Sequence, residues 1–144
     1  MKNVYYVIII AIIAIIAFIL FGFFSVSSGT GKELNETYIL HSFDGNEIAI
    51  PADKAFPTLK FNATENTISG FAGCNNIRGN FNVTKNDIKF GPIASTKKAC
   101  FHDIYEPQLL NALNKANSYQ LKDGLLTLKD GDTVLVYLRL LNLN

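Results

Sequence analysis

The sequence carries little charge and no excess of either sign. Its 144 residues include 13 Lys and Arg against 12 Asp and Glu, and charged residues make up 17% of the chain. Lys2 is the only charged residue among the first 24, so the remaining 120 residues carry 12 basic and 12 acidic side chains. Proteins that bind nucleic acids use an excess of Lys and Arg to displace phosphate counterions. The composition therefore argues against a nucleic-acid partner.

The motifs that mark common enzyme classes are also missing. The sequence contains no G-x-S-x-G nucleophile elbow, no P-loop, no dinucleotide-binding fingerprint and no H-E-x-x-H zinc motif. Its acidic residues are too scattered to nominate a glycosidase pair. We therefore expect a protein that is not an enzyme and that binds no cofactor and no metal.

Cysteine is scarce. Only Cys74 and Cys100 occur, and they form no C-x-x-C pair. In an oxidising compartment two such residues are most simply a structural disulfide, and closing a loop of about 26 residues contributes roughly 3.5 kcal/mol. Two other interpretations stay open. One is a metal site, formed by a free Cys100 thiol with His102 and Asp103 and joined in space by His41. The other is a thiol nucleophile, formed by a Cys–His pair.

One long apolar run stands out against this background. Residues 4–24 contain no charged residue, and only Gly22 is not hydrophobic. A helix of this length spans about 31 Å, which matches the roughly 30 Å hydrocarbon core of a bilayer. The apolar region of a cleavable signal peptide is about 7–15 residues long, although cleavage near residues 25–27 stays open. We predict a transmembrane anchor over residues 1–24 that contacts the membrane through residues 4–24.

The charges near this run predict its orientation. Lys2 and the α-amino group lie on its N-terminal side, whereas Lys32 on the far side is offset by Glu33 and Glu36. The positive-inside rule then predicts a single-pass protein of the cell membrane, with its N-terminus in the cytoplasm and its C-terminal domain outside. Residues 25–36 are predicted to be a flexible tether, and residues 37–144 one domain.

Short strands and turn signals dominate that domain. Asp-Gly pairs at Asp123 and Asp130 predict two tight hairpins in a C-terminal meander. One segment instead shows helical spacing up to Asn117, and Asp103 and Glu106 have capping-box spacing at its start. We expect a mainly β (α+β) fold, a small antiparallel β-barrel or strongly bent sheet of about eight strands with one packed helix. The predicted strands are residues 37–43, 58–62, 67–71, 77–83, 87–90, 119–122, 125–129 and 133–140.

Two blocks of sequence surround the cysteines. Residues 70–75 (GFAGCN) are followed by Gly79 and Phe81, and residues 90–100 end in Thr-Lys-Lys-Ala-Cys. Together they resemble the signatures of the META domain family, the HslJ-like proteins of the heat-inducible lipoprotein type. The resemblance implies a small exported antiparallel β domain with one helix and a link to envelope stress, and it implies no catalytic residues. In this chain a transmembrane helix stands in place of the family's lipid anchor.

The motif residues have predicted structural roles. We expect the glycines to adopt positive φ or to lie where a Cβ would clash, and Asn75 to satisfy loop amides with its side chain. The joined loops around the two cysteines then form a rigid rim, and the alternative is that this rim binds a ligand. The structural set is Gly70, Gly73, Asn75, Gly79 and Thr96, and the candidate binding rim is Asn75, Asn76, Arg78, Lys97 and Lys98.

The sequence also predicts a role and sites of modification. N-glycosylation sequons begin at Asn35, Asn62 and Asn82. We expect a membrane-anchored, non-enzymatic extracytoplasmic domain that acts in envelope stress or envelope integrity by binding an envelope protein or a ligand. The alternatives are a thiol-dependent or metal-dependent activity that uses Cys74 or Cys100 with His102, and a protease-inhibitor-like module.

Overall fold

The structure is a computed structural model that describes residue 12, residues 34–100 and residues 105–141. Apart from residue 12, the predicted anchor lies outside these residues, as does most of the predicted tether. Among the described residues, no helix has the length and apolar character needed to cross a membrane.

The described chain forms ten strands and one helix. The strands in chain order are β1 (Thr37–Phe43), β2 (Asn46–Glu47), β3 (Thr58–Asn62), β4 (Thr67–Phe71), β5 (Asn76–Thr84), β6 (Asp87–Phe90), β7 (Ala94–Ser95), β8 (Ser118–Lys122), β9 (Leu125–Asp130) and β10 (Thr133–Leu140). Helix α1 (Tyr105–Lys115) lies between β7 and β8. The predicted strands agree with these bounds to within one residue at each end. Strands β2 and β7 were not predicted, because two-residue strands show no alternation of apolar and polar residues.

Eight of the strands close into an antiparallel barrel. The order around it is β1-β3-β4-β5-β6-β8-β9-β10, and β10 pairs back onto β1 from Tyr38↔Leu140 to Phe43↔Val136. The short strand β2 pairs with the end of β1, and β7 pairs with the start of β5. The expectation of a small antiparallel barrel with one helix is confirmed. Closure matters because it gives each barrel strand a neighbour on both sides and so removes long free edges.

Side chains alternate between the inside and the outside of the barrel along each strand, and the inward set fills the core. In β1, for example, Tyr38, Leu40 and Ser42 are buried while their neighbours are partly exposed. The rings of Tyr38 and Phe81 each meet Phe61 edge-on, with centroids 5.7 and 5.4 Å apart. Such aromatic pairs add about 0.5–1.5 kcal/mol beyond the burial of their area.

Local turn chemistry sets the hairpins. Asp123 and Gly124 both have positive φ, 51° and 75°, as a two-residue type I′ hairpin requires. Gly131 has φ of 57° at the first loop position between Asp130 and Thr133, which suits a type II′ turn. Both predicted Asp-Gly hairpins therefore form, and they set the register of β8, β9 and β10.

Helix α1 packs one face into the barrel core. Leu109, Ala112 and Leu113 are buried on it, and Ala116 continues the same face just beyond its end. At its start the Tyr105 hydroxyl accepts from Ala49 N–H at 3.1 Å and donates to Ala49 O at 2.9 Å. The predicted cap residue Asp103 lies outside the described residues. These contacts tie the first turn of α1 to the segment between β2 and β3.

Candidate functional site: the cysteine-linked loops

The two cysteines lie at disulfide distance. Their Cα atoms are 6.0 Å apart, within the usual range for a bridge. Cys74 follows β4 and is 7% exposed, whereas Cys100 follows β7 and is exposed. The bridge therefore ties the loop after β7 to the connection between β4 and β5.

Asn75 is the centre of a hydrogen-bond network beside the bridge. Its backbone N–H donates to Glu106 Oε2 at 2.8 Å, and its Nδ2 donates to Glu106 Oε1 at 3.2 Å. Its Oδ1 accepts from the Thr96 hydroxyl and from Lys98 N–H, both at 2.8 Å. Its carbonyl accepts from Ala72 N–H at 2.8 Å. One buried side chain thus joins the β4–β5 connection, the loop after β7 and α1.

Glu106 is the second member of the network. It lies in the first turn of α1, is 9% exposed, and also accepts from the Ser95 hydroxyl at 3.0 Å. A buried carboxylate is tolerated only where donors replace the water that it has lost. From the sequence, Glu106 was predicted only to lie at the start of the helix, and this role was not foreseen. The available signal was its spacing of three and seven residues from Leu109 and Leu113, which puts it on the buried face.

Thr96 completes the connection between the loops. Its hydroxyl donates to Asn75 and accepts from Asn76 N–H at 3.2 Å, and its own N–H donates to Asn76 O at 3.0 Å. The Thr-x-x-Ala-Cys block and the Gly-Cys-Asn block therefore meet through Thr96 and Asn75 as well as through the cysteines. These contacts explain physically why the two blocks occur together in one chain.

Backbone geometry at the glycines matches this close packing. Gly73 has φ of 121°, a conformation that residues with a Cβ rarely adopt. A Cβ on Gly70 would overlap the main-chain carbonyl oxygen of Thr58 on the neighbouring strand. Gly79 lies in β5, where a Cβ would be 3.0 Å from Pro92 O. The first block therefore leaves no room for side chains at Gly70.

The residues of the candidate binding rim divide into two groups. Asn75 is 8% exposed and serves the network, whereas Asn76, Arg78, Lys97 and Lys98 are exposed. Within the described part of the chain, no hydrogen bond or ion pair engages the charged groups of Arg78, Lys97 and Lys98. Three cations therefore face solvent, and the buried network fixes the loop that carries Lys97 and Lys98.

Besides the cysteines, the alternative chemistries call on His41, His102 and Asp103. His102 and Asp103 are outside the described residues. His41 lies at the end of β1, with its Nε2 3.7 Å from Glu47 Oε1 and 3.3 Å from Arg139 Nη2. Across residues 34–100 and 105–141, no group of three His, Cys, Asp or Glu side chains is placed to hold a metal ion.

The three sequons have different surroundings. Asn35 Oδ1 accepts from Ala63 N–H at 2.7 Å, and Asn62 Oδ1 accepts from Glu65 N–H at 3.0 Å within the β3–β4 turn. Asn82 is exposed on β5. Asn35 is exposed as well, whereas Asn62 is partly buried.

Comparisons with known proteins identify the family. The META domain model matches residues 32–140. An NMR structure of a protein from Burkholderia xenovorans is 22% identical, with a TM-score of 0.61 over 78% of this chain and 86% of that chain. A crystal structure of a DUF4847 family protein from Bacteroides vulgatus is 17% identical, with a TM-score of 0.55 over 76% and 96% of the two chains. No curated protein matches the sequence. Since the family model covers most of its length, the chain belongs to the META domain family.

Proposed function

We propose that this protein is a membrane-anchored, extracytoplasmic META domain that binds a partner protein of the cell envelope and catalyses no reaction. The anchor is the apolar run of residues 4–24. Residence outside the cytoplasm is supported by the cysteines at disulfide distance, because such bridges persist in oxidising compartments. The partner supports the envelope under stress.

The main support for this proposal is that the polar side chains of the site form hydrogen bonds with one another. Asn75 and Glu106 direct their side chains at each other and at Ser95 and Thr96. A catalytic base or nucleophile must instead face a substrate with groups that are free to exchange protons. The arrangement is suited to holding a surface rigid, and rigid surfaces bind partners with little loss of conformational entropy.

The exposed cations define the partner's chemistry. Arg78, Lys97 and Lys98 give the candidate binding rim three positive charges, whereas residues 25–144 as a whole are formally neutral. Electrostatic complementarity then favours an acidic patch on the partner and speeds association at low salt.

Site-specific photo-crosslinking in native membranes tests this proposal. A photoreactive residue at position 97 should crosslink one envelope protein, while the same residue at position 122, also an exposed lysine, should not. Arg78→Glu with Lys97→Glu should abolish the crosslink and fail to rescue a deletion strain under envelope stress. Lys122→Glu is the matched control and should rescue it. Equal labelling from positions 97 and 122, or full rescue by the charge-reversed protein, would contradict the proposal.

A further inference from the structure

A second surface, distinct from the candidate binding rim, is a groove between β6 and α1. The wider part has a volume of about 670 Å³ and lies between β6 and residues 114–117 at the end of α1. An adjoining hollow of about 510 Å³ continues past Pro92 and Ile93 to Leu110. Lys89, Phe90 and Asn114 line both parts, so the two form one channel along β6. We call it the β6–α1 groove, and no residue of the rim lines it.

The groove exists because the barrel is only narrowly closed at this position. Strands β6 and β8 share one register pair, Asp87↔Ser118. Two backbone hydrogen bonds flank it, from Ile88 N–H to Asn117 O at 3.1 Å and from Tyr119 N–H to Asn86 O at 2.8 Å. Beyond Ile88 the strands separate, and α1 rather than a strand faces the rest of β6.

This separation leaves part of the β6 edge without a neighbouring strand. Gly91 N–H donates to Asn80 O on β5 at 2.8 Å, whereas Ile88 N–H points the opposite way, to Asn117. Backbone groups alternate in direction along a strand, so Phe90 N–H and C=O point away from β5, as those of Ile88 do. Among the described residues, Phe90 N–H has no acceptor. The ring of Phe90 packs inward on Phe61 and Phe81, so its backbone borders the groove.

An exposed strand edge of this kind is complementary to another extended backbone. A small molecule can pair with one free N–H. An extended peptide can instead pair with the Phe90 N–H and with the outward-pointing carbonyls of Ile88 and Phe90, because its own backbone groups repeat at the same spacing. The part of the edge that β8 leaves free, residues 89–93, lines the groove. At about 3.3 Å per residue it spans roughly 16 Å, enough for a peptide of about five residues.

The other residues that line the groove determine which side chains it favours in such a peptide. Ile93 and Leu110 are partly buried on the core and offer an apolar floor. Lys89 and Lys115 are exposed at the borders against a single acidic residue, Asp87. Neither lysine has an ion pair within the described part of the chain. The charge balance favours an acidic peptide with alternate apolar residues.

We propose that the β6–α1 groove binds an extended acidic segment of a partner protein, which pairs with the free edge of β6 as an additional strand. Main-chain hydrogen bonds to Phe90 supply affinity, and Lys89 and Lys115 select acidic side chains. The proposal does not depend on the rim, because the two surfaces share no residue.

Peptide selection against the full-length protein in nanodiscs tests it. A phage library of acidic heptapeptides is the probe, and selected peptides are measured by fluorescence anisotropy. N-methylation of the backbone at alternate positions should weaken binding about tenfold or more where the N–H faces β6, and should have little effect at the intervening positions. Failure of the library to yield a binder, or loss of affinity without this alternation, overturns the proposal.

Variants locate the bound peptide. Asn114→Tyr should fill the groove and abolish binding, whereas Asn111→Tyr, exposed on α1 but outside the lining, should not. Lys89→Glu should weaken peptide binding more than the matched Lys85→Glu. This second variant still tests the groove if Asn114→Tyr fails to fold. Arg78→Glu with Lys97→Glu should leave peptide affinity unchanged, which separates this site from the rim. Peptide binding that survives both groove variants, or a dimer in sedimentation velocity that Asn114→Tyr abolishes, overturns the proposal.

Discussion

Replacing Glu106 with alanine should destabilise the domain by about 3 kcal/mol, because it removes the acceptor of two buried donors on Asn75 and of the partly buried Ser95 hydroxyl. Asn75 N–H, Asn75 Nδ2 and the Ser95 hydroxyl lie 2.8, 3.2 and 3.0 Å from the carboxylate oxygens. Each buried donor left without an acceptor costs roughly 1–3 kcal/mol, and the lower end applies where water enters the vacated space. Against a typical domain stability of about 5–15 kcal/mol, the loss is large.

Equilibrium urea unfolding of the full-length protein in detergent micelles, followed by circular dichroism, measures this loss. Glu106→Gln should cost less than alanine, because one carbonyl oxygen remains, but its amide places an N–H group against the donors of Asn75. Glu65→Ala is the control. Glu65 lies exposed in the β3–β4 turn, where its backbone N–H, which the substitution retains, makes the bond to Asn62, so we expect a change within about 0.5 kcal/mol.

A double-mutant cycle isolates the contact. Asn75→Ala and Glu106→Ala should each be costly, whereas the double variant should cost less than their sum by about 1–3 kcal/mol, because the first change already breaks both contacts. A loss below about 1 kcal/mol in Glu106→Ala, or strictly additive effects, would refute the conclusion that these side chains hold the loops together.

The cysteine bridge, the close-packed Gly70 and the predicted anchor each give a further prediction. Cys74→Ser with Cys100→Ser should lower the unfolding free energy by roughly 3.5 kcal/mol. Intact-mass analysis of the unmutated protein should show alkylation only after reduction, and labelling of both thiols without reduction would contradict the bridge. Gly70→Ala should prevent folding or cost several kcal/mol of unfolding free energy, measured by thermal unfolding. Gly45→Ala is the control: Gly45 has φ of 77° but open space around its Cα, so the loss should be only about 1 kcal/mol. Similar losses at both positions would refute the conclusion that Gly70 is required by the close approach of Thr58. Protein lacking residues 1–24 should appear in the soluble fraction after carbonate extraction, while the full chain stays with membranes; equal partitioning would argue against the anchor.

The strands and turns were readable from the sequence because they depend on neighbours within a few residues. Alternation over Thr37–Phe43 places one set of side chains inside, and the pair Asp123 and Gly124 supplies the two positive φ angles that a tight hairpin needs. The apolar spacing of α1 likewise predicted its position. Barrel closure was foreseen only as one of two options, because the pairing of β1 with β10 joins residues about a hundred positions apart.

The roles at the site depended on tertiary structure. The sequence indicated that Asn75 satisfies loop amides, but its main partner, Glu106, is 31 positions away and is recognisable only once α1 is packed against the loops. The free edge of β6 was equally hidden, since it arises where β8 diverges after one register pair. Local propensities are set by residue type and spacing, whereas partners across the fold are set by register and packing, which emerge only when the whole barrel closes.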